Sequence, residues 1–208
     1  MKEEQEYIRD IAEIRSMMER STKFLSLSGW AGIMAGIYAL TGAYVAYAVF
    51  GFNPDGIDYR ASNPESGRSA LLNVVFLAVS ILLLAIGTAI SLSSKNANKK
   101  GEKIWNATSR RLLGSMAVPL VAGGLFSLLL IAKDLVGLVA PVTLIFYGLA
   151  LFSASKFTYD DVKYLGMIQV ALGLFGAYFI PWSLLLWALG FGVVHIGYGI
   201  YIHFKYER

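Results

Sequence analysis

Between Lys163 and Lys205 the chain consists of two long apolar runs and very little else, and no other feature restricts its fold as much. Residues 165–180 are almost wholly apolar, Pro181 and Trp182 interrupt, and residues 184–202 are apolar again, with a basic residue bounding each side. Crossing about 30 Å of hydrocarbon takes roughly 17–25 apolar residues at about 1.5 Å each. Two crossings fit, joined by a very tight turn at Pro181. The segment reads as a complete membrane hairpin.

Two earlier stretches read as looser copies of it. Counting from the basic residue that opens each unit, Lys23, Arg111 and Lys163, a leucine recurs at Leu25, Leu113 and Leu165. A small residue follows at Ser26, Gly114 and Gly166, and a glycine at Gly36, Gly124 and Gly176. Counting back from the closing basic residues, Lys95, Lys156 and Lys205, a second glycine set falls at Gly87, Gly148 and Gly197. Glycine triplets in consistent frames point to a threefold repeat, with hairpins over about 24–95, 111–156 and 163–205. Each unit crosses twice, so successive units enter from the same side as parallel repeats. The expected fold class is all-α: a polytopic integral membrane protein of six transmembrane helices in three tandem hairpins, preceded by a cytoplasmic amphipathic helix.

The last unit, with Gly166-Met-Ile-Gln-Val-Ala-Leu-Gly173, Pro181, Gly190 and Gly197-Tyr-Gly-Ile, resembles the glycine-punctuated hairpin of the HdeD-like acid-resistance membrane proteins. The resemblance implies six spans in three hairpin repeats and a role in stress adaptation, with no catalytic site to carry over. The long N-terminal segment of mixed charge departs from that pattern.

Composition agrees with a membrane domain: 56% of residues are hydrophobic, 15% are charged, and mean hydropathy is +0.58. There is no cysteine, which excludes disulfides, thiol catalysis and cysteine metal sites. Residues 2–23 carry five basic and six acidic groups, with apolar side chains at Tyr7, Ile11, Ile14 and Met18 in helical spacing. They predict a cytoplasmic amphipathic helix ahead of the membrane domain of residues 24–208. The acid-rich start and the long apolar run behind it do not fit a signal peptide.

The spans are expected over about 24–50, 71–92, 112–132, 135–154, 165–180 and 184–202, with turns and irregular loop over 52–69. Thr158-Tyr-Asp-Asp161 is expected to cap the fifth, a threonine oxygen accepting from free amides and carboxylates suiting a helix N-terminus. Placing the N-terminus inside puts 15 of the 18 Lys and Arg residues in the cytoplasm and leaves Arg60, Arg68 and Lys133 outside. Both termini are therefore expected inside, with the protein in the cell's inner membrane. The Asn106-Ala-Thr108 sequon falls in the inner loop, where glycosylation is not expected.

No Asp, Glu, Lys or Arg lies within any expected span, which argues against an acid-coupled pump. The informative polar residues are Asn73, Gln169 and His195. With Tyr198, one turn from His195, they make a candidate intramembrane polar cluster, serving either as a small site or as interhelical hydrogen bonds. The six aligned glycines, Gly36, Gly124, Gly176, Gly87, Gly148 and Gly197, are candidate helix-packing positions. His195 and His203 have too few ligand partners for a metal, no nucleophile–base pairing is visible, and no phosphate loop or dinucleotide fingerprint occurs. No catalytic residue or cofactor is expected. The basic inner loop points to topology and anionic lipid rather than to nucleic acid.

Two functions are expected to compete: a non-enzymatic inner-membrane protein of interaction or stress-adaptation type, and a channel or transporter for a small neutral solute. The expected partners are the lipid bilayer and, through residues 2–23, either a second copy of the chain or a cytoplasmic protein.

Overall fold

The computed structural model describes residues 23–25, 27–53, 64–99, 101 and 105–207. The amphipathic helix expected before Lys23 and residues 54–63 of the loop expected over 52–69 lie outside these residues; residues 64–69, expected to be irregular, are helical instead, because Pro64 suits the first turn of a helix. Every regular element described is helical, as apolar runs of this length require in lipid, where a helix satisfies its own amides. We number them α1 (Gly29–Ala48), α2 (Pro64–Lys99), α3 (Ala107–Ala132), α4 (Val139–Ala154) and α5 (Val162–Tyr178). α6 runs over 183–207, its α-helical turns Ser183–Trp187 and His195–Ile202 alternating with π-helical ones, Ala188–Val194 and His203–Glu207.

Five segments are long and apolar enough to cross a membrane: Gly29–Ala48, Ser69–Lys99, Ala107–Ala132, Val136–Phe157 and Ile180–Glu207. α5, expected to reach residue 180, is shorter at 17 residues. Phe179 leaves helical geometry at φ −108°, ψ 72°, and Pro181 sits in a 3-10 turn, Ile180–Trp182, that leads into α6. Proline has no N–H to give and cannot prolong the helix before it.

Local chemistry sets the other ends. Asn106 caps α3 through a reciprocal pair, its side chain accepting from the Ser109 amide at 2.8 Å while the Asn106 amide donates to Ser109 Oγ at 2.9 Å. α3 stops at a left-handed residue, Asp134 (φ 63°), a conformation that aspartate tolerates better than most. α4 therefore begins within a few residues.

The expected cap on α5 is not formed. Its N-cap residue, Asp161, makes no side-chain capping bond, and the Thr158 hydroxyl donates to the Phe24 carbonyl at 2.7 Å. Thr158 is a fastener for the segment that enters α1. That segment lies along the α4–α5 connection: the Phe24 amide donates to Phe157 O at 2.7 Å, Tyr159 Oη donates to Leu25 O at 2.6 Å, and Lys23 Nζ meets Asp160 at 2.7 Å. Phe24 is buried there with Leu112 of α3 and Ala154 of α4.

α1 lies between α2 and α6, α6 against α5, α5 along α4, and α4 against α3. Sequence-adjacent helices thus pack in pairs, but the most extensive interface joins α4 to α5, and α1 meets α6 over more residues than it meets α2. Glycines explain both preferences. Apolar helices gain little from one another in lipid and associate through close backbone approach. On α1 and α6, a Cβ at Gly36 would lie 2.7 Å from Gly192 O, and one at Gly199 2.5 Å from Gly29 O. On α4 and α5, a Cβ at Gly148 would lie 2.6 Å from Gly166 O, and one at Gly173 2.8 Å from Pro141 O.

These contacts correct the aligned-glycine reading. Gly36 and Gly148 sit at backbone-to-backbone contacts, and Gly176 is looser, with Pro141 Cγ 3.3 Å from an added Cβ. Gly87, Gly124 and Gly197 meet nothing within 4 Å among the described residues. Shared frame does not give shared environment, because each pair faces different neighbours: α2 packs mainly on α1 and is exposed elsewhere, whereas α4 is enclosed by α3, α5 and α6.

Candidate functional site

The polar residues of the apolar interior converge where α4, α5 and α6 meet. Gln169 of α5 is fully buried and His195 of α6 is 5% exposed. A Gly190 carbonyl in the π-helical turn of α6 accepts from both, at 2.8 Å from Gln169 Nε2 and 2.9 Å from His195 Nδ1. A carbonyl only accepts, so Nδ1 carries the imidazole proton and Nε2 is the acceptor. Tyr147 of α4 supplies the matching donor, its hydroxyl 2.9 Å from Nε2. The 3.1 Å between Gln169 Nε2 and Nδ1 is then the approach of two donors converging on one carbonyl, not a bond between them.

Gly190 makes this arrangement possible, since a Cβ there would lie 2.5 Å from Gln169 Oε1 and 2.7 Å from Leu144. π turns are rare, and single ones recur where a helix redirects its carbonyls. An aromatic ladder extends the cluster toward the α5–α6 turn. Trp187, Phe191 and His195 succeed one another along α6, with ring centroids 5.0 Å apart for Trp187–Phe191 and 5.7 Å for Phe191–His195. Tyr147 packs 5.0 Å from Phe191, and Trp187 Nε1 donates to Thr143 Oγ1 at 3.1 Å. Two hydrogen bonds one turn apart on α4 thus lock α4 to α6.

Of the expected cluster, Gln169 and His195 meet. Tyr198 does not join them: its hydroxyl is buried without a hydrogen-bond partner among the described residues. Asn73 is exposed on α2, which packs mainly on α1, so it does not belong to this site. Tyr147 was not legible as the histidine's partner, although a tyrosine in mid-span needs a mate for its hydroxyl.

A second polar knot lies at the opposite end of α6 and was not anticipated. Glu207 Oε1 accepts from the Gly29 amide at 2.9 Å and from Asn96 Nδ2 at 2.7 Å, and Oε2 lies 2.6 Å from His203 Nδ1. One carboxylate thereby caps α1, holds the end of α2 and pairs within α6. Nearby, Asp161 Oδ2 accepts from Lys205 Nζ at 2.8 Å and from Tyr206 Oη at 2.9 Å. The Lys205 hydrogen bond holds the Asp161 carboxyl below its ordinary range, against an opposing effect of partial burial.

Around the imidazole the interior cluster is closed, whereas Gln169 Oε1 is buried without a hydrogen-bond partner among the described residues. Both nitrogens of His195 are committed, neither to a carboxylate, so the imidazole has no group to activate. Among the described residues no three His, Asp or Glu side chains gather as a metal site requires. The glycines at the interfaces bring backbones together. No family model, no curated protein and no solved structure matches the chain.

Proposed function

We propose that this is a non-enzymatic multi-pass membrane protein of interaction or stress-adaptation type. In this reading it crosses the inner membrane six times with both termini in the cytoplasm. α5, the fifth in chain order and 17 residues long, supplies the crossing that brings the five long spans to six, at the short end of what spans a bilayer. The observation that carries the interaction reading is the docking of residues 23–25 on the α4–α5 connection by Lys23–Asp160, Phe24–Phe157, Thr158–Phe24 and Tyr159–Leu25. It fixes Lys23, Phe24 and Leu25 on the face that also carries the end of α6. The apolar stripe of residues 2–22 is the part of the chain available to a second copy or to a cytoplasmic protein. A stripe so short of net positive charge has little to hold it on an anionic leaflet by charge alone.

Two measurements test the proposal. Cysteines placed singly at Arg60, Lys133 and Glu207 are expected to label from outside, outside and inside; labelling of Arg60 from inside would refute the topology. Deleting residues 2–18 is expected to lower the oligomeric mass of the purified protein or to lose a cross-linked cytoplasmic partner. Unchanged mass with no partner lost, together with solute flux in proteoliposomes above that of empty vesicles, would replace the proposal by the transport reading.

A further inference from the structure

Charge is unevenly settled on the face where the described chain ends meet. Its described carboxylates are all committed: Asp160 to Lys23, Asp161 to Lys205, and Glu207 to His203, Asn96 and the Gly29 amide. Arg110, Arg111 and Lys156 are exposed and make no ion pair among the described residues. They are close in the fold, because α3, whose first turns carry both arginines, packs on the 3-10 turn Ser155–Phe157 that carries Lys156. Leu112, immediately after Arg111, is buried against Phe24 and Ala154, which places the guanidinium groups where the apolar part of the helix begins. Trp105, 64% exposed, precedes the cap of α3 and presents an indole of the kind that sits at the headgroup level of a bilayer.

Unpaired cations, an interfacial indole and a helix entering the membrane between them make a complement to a phosphate ester that carries acyl chains. We infer that Arg110, Arg111 and Lys156, with Trp105 beside them, hold the headgroup of an anionic phospholipid of the cytoplasmic leaflet. The guanidinium groups offer paired donors to phosphate oxygens, Lys156 adds a point charge, and the exposed apolar side chains Leu113 and Val118 of α3 continue the surface along the acyl chains. The acidic N-terminal segment is the competing occupant, and the experiment separates the two.

The full chain, purified in a nonionic detergent, is titrated with phosphatidylglycerol or phosphatidylcholine, and bound lipid is counted by native mass spectrometry. Phosphatidylglycerol is expected to bind in preference. Replacing Arg110, Arg111 and Lys156 together by glutamine is expected to weaken it on the order of 100-fold, at roughly fivefold per cation near a surface. The variant Arg110→Lys with Arg111→Lys, which keeps the charge, should retain most of the binding. A control that removes equal charge elsewhere, Lys95→Gln with Lys99→Gln and Lys133→Gln, should leave it within a few-fold. Equal loss in the control would show general charge attraction and overturn the site. Binding of glycerol phosphate as tight as that of the lipid would assign the cations to a soluble phosphate ester and overturn the lipid. If deleting residues 2–22 raises affinity tenfold or more, the cations hold the acidic segment and the inference fails.

Discussion

Alanine at Gly148 and alanine at Gly124 should have opposite effects on stability, although the two glycines occupy comparable mid-helix positions. At Gly148 the added Cβ would stand 2.6 Å from Gly166 O and 2.8 Å from Val170 N. Both are backbone atoms that no rotamer change can move, so α4 and α5 must separate along the largest interface in the protein. Overpacking of this kind costs about 1–3 kcal/mol. At Gly124 the same carbon meets nothing within 4 Å among the described residues. There the gain is conformational, since glycine inside a helix is about 0.5–1 kcal/mol worse than alanine. That gain applies to both substitutions and cancels in their difference, so the gap between them isolates the packing cost at about 1–3 kcal/mol. Reversible unfolding in mixed micelles, followed by far-UV circular dichroism, measures it. If Gly124→Ala destabilises to within about 0.5 kcal/mol of Gly148→Ala, an amount small against the packing cost at stake, Gly124 packs on something beyond the described residues and the reasoning from open space is refuted.

Further outcomes follow from the two polar knots. Tyr147→Phe removes one bond between α4 and α6 and should cost about 0.6 kcal/mol, with about 1.7 as a ceiling; a loss well above that in the same unfolding measurement would mean the hydroxyl organises the whole cluster. His195→Gln, which still hydrogen-bonds, should fold with a stability closer to the parent than His195→Leu, which strands the Tyr147 hydroxyl; the reverse order would count against a structural histidine. Glu207→Ala should cost about 0.5–2 kcal/mol through lost capping of α1 and speed amide exchange in its first turn, and protection unchanged there would exclude the cap. Asp161 has a folded pKa below its unfolded one, so its contribution is fully present above the unfolded value and is lost as pH falls through the folded value. Asp161→Asn should therefore flatten the acid limb of the stability–pH curve, and parallel curves would refute the assignment.

The long apolar runs made the helical fold class legible without a structure, because a backbone in lipid has few other ways to satisfy its amides. They also placed most helix bodies to within a few residues. Gln169 and His195 were legible as partners for a simpler reason: polar groups in an apolar interior find each other. Their third partner was not, since Tyr147 is one tyrosine among 12, and nothing in its neighbourhood along the chain distinguishes it. The role of Glu207 was not legible because its partners, Gly29 and Asn96, are 178 and 111 residues away along the chain.

What the sequence determined by itself is what depends on neighbours along the chain: which segments are helical, where Pro181 ends a helix, and that the described interior is free of charge. The tertiary structure decided which faces those helices present to one another. A glycine removes a Cβ whatever surrounds it, but only the partner's position makes that removal matter, so Gly36 and Gly148 mark interfaces while Gly87, Gly124 and Gly197 meet no neighbour among the described residues. Thr158 shows the same division, because its hydroxyl could serve its own helix or another segment. It serves Phe24, because the chain entering α1 lies 2.7 Å away and offers a buried carbonyl that has no water to turn to.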